Sequence, residues 1–202
     1  MKGCRFKISI YFAAMIGCLI VLDNTGIAVL ALFCAAFHEA GHFAALFFLK
    51  VQIEEVDFKV IGINIRLSGK TRIGYKKEVI IAIAGSLANL LMCIVAYILY
   101  NFGINIVLMQ NIFILSLMLC LFNALPIAPL DGGMMLEAFL CSKLPLNKAL
   151  LITNIISAVF LFPLTIAGYY LVVITGYNYS LILACVYLAV SLVLKGRLFK
   201  IT

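Results

Sequence analysis

The stretch Phe33–Leu49, FCAAFHEAGHFAALFFL, sets two histidines and a glutamate inside an apolar run. His38 and His42 are the chain's two histidines, four residues apart, with Glu39 beside the first. Residues i and i+4 are neighbours on one face of a helix. HExxH on a helix therefore brings two imidazoles to a single Zn²⁺, with the glutamate placed to hold and deprotonate a water. The plainer reading is a chance match, with both histidines packed in a core. Location weighs against it. A charged group at mid-helix costs about 2.5–3.5 kcal/mol on membrane-insertion scales, so ionisable residues there point to function.

The surrounding composition establishes that setting. Hydrophobic residues make up 66% of the 202 and charged residues 11%, with a mean hydropathy of +1.21. Soluble domains carry roughly a quarter charged residues. The chain therefore reads as an integral membrane protein in its lipid bilayer, organised as one membrane domain over 1–202. Seven cysteines without paired spacing, most of them in apolar runs (Cys18, Cys34, Cys93, Cys120, Cys185), read as small buried hydrophobes rather than a disulfide or metal framework.

Apolar runs fall at about 8–22, 26–49, 79–100, 104–122, 149–173 and 179–194. Most are near the twenty or so residues that a spanning helix needs, which predicts six spans in an all-α polytopic fold. The first run is short, but Phe6 extends it and Arg5 and Lys7 can snorkel. With six spans, all fifteen basic residues share one side. Lys2, Arg5 and Lys7 precede span one, and seven (Lys50, Lys59, Arg66, Lys70, Arg72, Lys76, Lys77) lie between spans two and three. Lys143 and Lys148 separate spans four and five, and Lys195, Arg197 and Lys200 follow span six. The opposite links carry only Asp23. The positive-inside rule then puts both termini in the cytoplasm of a multi-pass cell-membrane protein. The net charge of +7 reports topology and leaves no patch for nucleic acid. VLDNTG lacks a small-x-small cleavage site, so the first run is expected to stay as an anchor helix.

Two stretches depart from the helical pattern. In 51–77, Ile61, Ile63, Ile65 and Leu67 alternate with Gly62, Asn64, Arg66 and Ser68. That is strand periodicity, and it predicts a small β-hairpin or ribbon, with LSGK as the turn and TRIGY as a possible returning strand. NALPIAPLDGG, 123–133, carries two prolines and a glycine pair after an apolar run. Such non-helical backbone at membrane depth is tolerated only inside protein or against a cavity, which predicts a broken, buried segment.

A catalytic zinc takes three protein ligands and keeps a position open for water. No histidine remains for the third. Asp23 lies on the wrong side, and Glu54, Glu55, Asp57 and Glu78 read as solvated loop charges among lysines. That leaves Asp131, in the broken segment beside Gly132 and Gly133, and Glu137, which could instead cap a helix or face the cytoplasm.

HEAGH in an early span and NALPIAPLDGG about 85 residues later resemble the two motifs of the site-2 proteases, which are intramembrane zinc metalloproteases. The second motif's asparagine, two prolines, aspartate and glycine are matched by Asn123, Pro126, Pro129, Asp131 and Gly132. The resemblance covers nearly the whole chain. It implies that His38, His42 and Asp131 bind one zinc ion and that Glu39 is the general base. A third motif, glycine with asparagine four residues on, is matched by Gly85 and Asn89, although Ser86 stands where the family usually has proline. With six spans, cytoplasmic termini and no inserted PDZ domain, the chain looks most like the bacterial stage IV sporulation protein FB group, although many members of that group carry a C-terminal CBS domain that is not expected here. Those enzymes cleave a membrane-associated regulator such as a pro-sigma factor, and the resemblance implies regulatory membrane proteins as further partners.

The expected activity is thus a zinc metalloendopeptidase acting within or at the edge of the membrane. Glu39 would take the proton of the attacking water and pass it to the leaving amine. Asn123 or Asn89 could hydrogen-bond substrate backbone or the developing oxyanion. A strand at 61–67 could hold an unwound substrate extended. The rival is a zinc transporter or metal-sensing membrane protein. It would need the ligands but not Glu39, and the remaining intramembrane polar residues form no second ligand cluster.

Overall fold

The computed structural model describes residues 5–59, 62–67, 74–176 and 178–198. In chain order the elements are β1 (Arg5–Ile8), α1 (Ile10–Leu22), α2 (Ile27–Phe48), β2 (Ile53–Lys59), β3 (Gly62–Leu67) and α3 (Tyr75–Asn101). Then follow α4 (Ile106–Asn123), α5 (Asp131–Cys141), α6 (Leu146–Thr175) and α7 (Ser180–Leu198). They divide into two compact units, Met1–Gly74 with Leu87–Cys120 and Tyr75–Ser86 with Leu121–Thr202.

Among the described residues four helices, α2, α3, α4 and α6, are long and apolar enough to cross a membrane. Their outward residues are large hydrophobics: on α6 alone Leu151, Val159 and Phe162 are each more than 60% exposed. In water such a face would be an aggregation surface, whereas in a bilayer it is solvated by lipid tails. Together with the composition, this makes the chain a helical membrane protein. Six spans are more than the helix lengths establish. At 1.5 Å per residue, the 13 residues of α1 reach only about 20 Å, against a hydrocarbon core of about 30 Å. The apolar part of α7 is also short, Ser180–Leu194.

In the first unit a three-stranded sheet runs in the order β1-β2-β3. β1 is parallel to β2, with Arg5 opposite Glu55 and Ile8 opposite Phe58. β2 is antiparallel to β3, with Ile53 opposite Leu67 and Lys59 opposite Gly62. The expected ribbon is present, and the alternating segment, as far as it is described, is one of its strands, β3. The partner of β3 is the preceding segment β2, and most of LSGK and TRIGY lies outside the described residues. Residues 5–8 do not extend a first span. Their backbone pairs with β2, so Lys7 does not snorkel; its Nζ lies 2.9 Å from Glu55 Oε1. Glu55 is accordingly a buried, ion-paired strand residue rather than a solvated loop charge. Lys76, Lys77 and Glu78 form the first turn of α3 instead of a loop.

α2 begins where Gly26 takes a positive φ of 75°. Asp23 caps it: its carboxylate accepts from Thr25 N, Thr25 Oγ1 and Ala28 N at 2.9, 2.7 and 2.7 Å. Those bonds, the Thr25 hydroxyl foremost, hold the Asp23 carboxyl down at about 2. The cap therefore supports the fold at any pH above the ordinary carboxylate value of 3.8 and is lost as pH falls through about 2.

In the second unit the segment before α5 packs with α6 and α7 around a core of Ile127, Leu161, Cys185 and Leu188. The interruption between α4 and α5 is the broken, buried segment that the prolines predict: Ile127 is 0% exposed and Ala128 1%. The glycine pair shapes it. A Cβ on Gly132 would run into the carbonyl oxygens of Ala124 and Leu125, and one on Gly133 into the backbone of Ile127 and Ala128. The close approach that these glycines permit is thus to their own preceding turn.

Gly133→Ala should therefore lose about 1–3 kcal/mol of stability or more, because the obstacle is backbone and cannot rotate away. Gly17→Ala, on α1 with nothing within 4 Å, should gain about 0.5–1 kcal/mol as a helical glycine replaced by alanine. Denaturant unfolding of both variants in detergent checks the pair; equal stabilities would contradict the packing described.

Candidate metal centre

α2 buries one narrow stripe, Cys34, His38, His42 and Leu46, at four-residue spacing. The stripe sets the two imidazoles one above the other. Their Nε2 atoms are 3.2 Å apart, and the rings meet edge to face at 80° with centroids 4.8 Å apart. Both are nearly enclosed, His38 at 6% and His42 at 9% exposure. Glu39, the next residue round the helix, is half-buried.

Neighbouring helices of the same unit hold this stripe through polar contacts. From α4, Ser116 Oγ donates to Cys34 Sγ at 3.4 Å, one turn before His38. From α3, the carboxamide of Asn89 lies 3.2 Å from His38 Nδ1. Asn89 is fully buried. In this structure its carboxamide thus faces the ring of His38.

In the second unit Asp131 is the first residue of α5, after Leu130 at the N-cap. It is half-buried. Its position depends on the turn before it, where Ile127 N donates to Leu125 O at 2.8 Å and Leu130 N to Ile127 O at 2.7 Å. Ser157 on α6 holds that turn. Its hydroxyl accepts the Ala128 N–H at 3.0 Å and donates to Thr153 O at 2.7 Å. Ser157 and Thr153 are both fully buried. Neither stands out in the sequence, where the available signal is two small hydroxyls at i and i+4 in an otherwise apolar helix. Asn123 is the half-buried last residue of α4, and Glu137 is half-buried within α5.

Among the described residues, the group of His, Cys, Asp or Glu side chains that could hold a metal ion is His38, His42 and Asp131, with one ligand atom from each. Glu137 is not in it. Two imidazole nitrogens and a carboxylate oxygen are donors that suit a borderline cation such as zinc, and three protein ligands leave a fourth position open.

Fold and donor set together describe a helical membrane protein equipped for a metal. No family model matches the chain, and no curated protein matches it. Among solved structures it is similar to the site-2 protease from Methanocaldococcus jannaschii, with a TM-score of 0.67 and 26% sequence identity over 95% of this chain and 90% of that one. That likeness supports a membrane metallopeptidase of the site-2 protease type.

Ser157→Ala should cost about 1–3 kcal/mol, because it leaves the buried Ala128 N–H without its acceptor. The measurement is the unfolding midpoint of the purified protein in detergent. An unchanged midpoint would mean that Ala128 N–H is satisfied elsewhere.

Proposed function

We propose that this protein is an intramembrane zinc metalloprotease that hydrolyses a peptide bond of a membrane-associated or transmembrane regulatory protein. The observation that carries the reading is the group His38, His42 and Asp131 with the Glu39 carboxylate directly after the first histidine. The likeness to a solved site-2 protease supports it.

His38, His42 and Asp131 would hold one zinc ion per chain. When bound, the metal supplies polarisation of the scissile carbonyl and acidification of water. The rest falls to side chains. Glu39 takes the proton of the attacking water and returns it to the leaving amine. Asn123, half-buried where α4 ends, is the candidate donor to substrate backbone. A substrate helix has its carbonyls bonded internally and must unwind to be cut. β3, at the edge of the sheet, offers a strand to hold it extended. The loaded face of the molecule would be cytoplasmic, with both termini on that side, as the placement of the basic residues argues. A regulator of the pro-sigma-factor kind and a place near the stage IV sporulation protein FB group are the finer form of the proposal. A transporter would need polar stations along a path, and His38, His42 and Asp131 are the one metal-capable group among the described residues.

Two substitutions test the division of labour. Glu39→Gln should keep about one zinc per chain while cleavage falls by about 100-fold or more. Asp131→Asn should lose most of its metal, whereas Glu137→Gln should keep both metal and activity. Elemental analysis of the purified variants reads the metal. Comparison of membranes from a Glu39→Gln strain and wild type reads the uncleaved precursor. Undiminished cleavage by Glu39→Gln would end the protease reading, and the reverse result for the two other carboxylates would move the third ligand to Glu137.

A further inference from the structure

The two Nε2 atoms that converge at 3.2 Å are the ones that would meet a shared metal. A ring nitrogen ligates only through a bare lone pair, and a neutral imidazole carries one proton. If both Nε2 atoms are bare, each proton is on Nδ1. A metal-ligating histidine almost always gives that proton to an oxygen acceptor, which fixes both the tautomer and the ring. At His38 the carboxamide of Asn89 is in reach of Nδ1, at 3.2 Å.

Nδ2 of Asn89 faces the ring, while its Oδ1 is buried with no hydrogen-bond partner among the described residues. With a proton on Nδ1, two donors would confront each other while an acceptor stood unused beside them. Exchanging Oδ1 and Nδ2 by a half-turn of the carboxamide removes both faults and leaves the shape of the side chain unchanged. The two orientations are nearly isosteric, so the hydrogen-bond network decides between them.

We infer that Asn89 is a positioning residue whose carboxamide oxygen accepts the Nδ1–H of His38, and so selects the tautomer that offers Nε2 to the metal. The inference rests on the zinc-protease reading and replaces substrate contact as the role of Asn89. At 0% exposure the amide is out of reach of a substrate backbone, whereas its contact with the ring is direct.

Because the chain has two histidines, ¹⁵N-histidine labelling of the full-length protein in detergent yields two imidazoles, told apart with His42→Ala. In zinc-loaded wild type, His38 should carry a proton on Nδ1 in a hydrogen bond that Asn89→Leu removes. Zinc affinity, read by competition with a chromophoric chelator, should fall about 10–100-fold in Asn89→Leu. Asn89→Asp has the same shape but only acceptors when ionised, and should restore it. An unprotonated Nδ1 in the loaded protein would overturn the inference while leaving the zinc site standing. So would wild-type affinity in Asn89→Leu, or an equal loss in Asn89→Asp. Wild type that takes up no zinc would overturn the metalloprotease reading itself and this inference with it.

Discussion

A polar group among lipid tails has no water to turn to, so the protein must supply every partner it needs. That requirement organises the first unit. α2 turns a single four-residue-spaced stripe inward and leaves the rest of its surface to lipid. The stripe begins with a thiol that takes the Ser116 hydroxyl and continues with an imidazole that meets Asn89. The two histidines then bring their Nε2 atoms within 3.2 Å of each other. Apart from this stripe and Glu39, α2 is apolar, and polar side chains on α3 and α4, Asn89 and Ser116, are turned to meet the stripe.

The same requirement explains the second unit. A carboxylate aimed from a continuous helix would share its direction with that helix's own packing face. Interrupting the helix frees the direction, but it exposes backbone donors and acceptors that must be met internally. Ala128 N–H is met by Ser157, whose hydroxyl is bonded in turn to the backbone of its own helix. The glycine pair lets α5 start directly against the preceding turn. Prolines, glycines and one serine thus form a mould, and Asp131 is the residue at its lip.

What could be read from the chain alone followed from periodicity and chemistry. HExxH was legible because ionisable side chains at i, i+4 spacing are costly in an apolar run unless they share a ligand. The broken segment was legible because Pro126, Pro129 and the Gly132–Gly133 pair, all of which disfavour helix, fall together within a few residues. The ribbon was legible at Gly62–Leu67, where apolar and polar residues alternate. β1 was not, since RFKI is four residues long and its strand character comes entirely from pairing with β2. For the same reason Glu55 looked like a solvated charge, because its partner Lys7 is far away in the chain. Asn89 could be flagged only by motif, and nothing in its neighbours Ala88 and Leu90 signals a histidine as its contact. Thr153 and Ser157 carry no charge and no motif, and their role depends on the loop folded over them.

The parallel pairing of β1 with β2 also ties together the two ends of a helical pair. The two strands flank α1 and α2, yet they lie side by side in one sheet. The path from the start of α1 to the end of α2 is therefore a closed loop, with its bend at Asp23–Gly26 and the sheet as its clasp. The clasp is non-local, since residue 5 meets residue 55, so the strand that follows the histidine-bearing helix is fastened by a segment that precedes both helices.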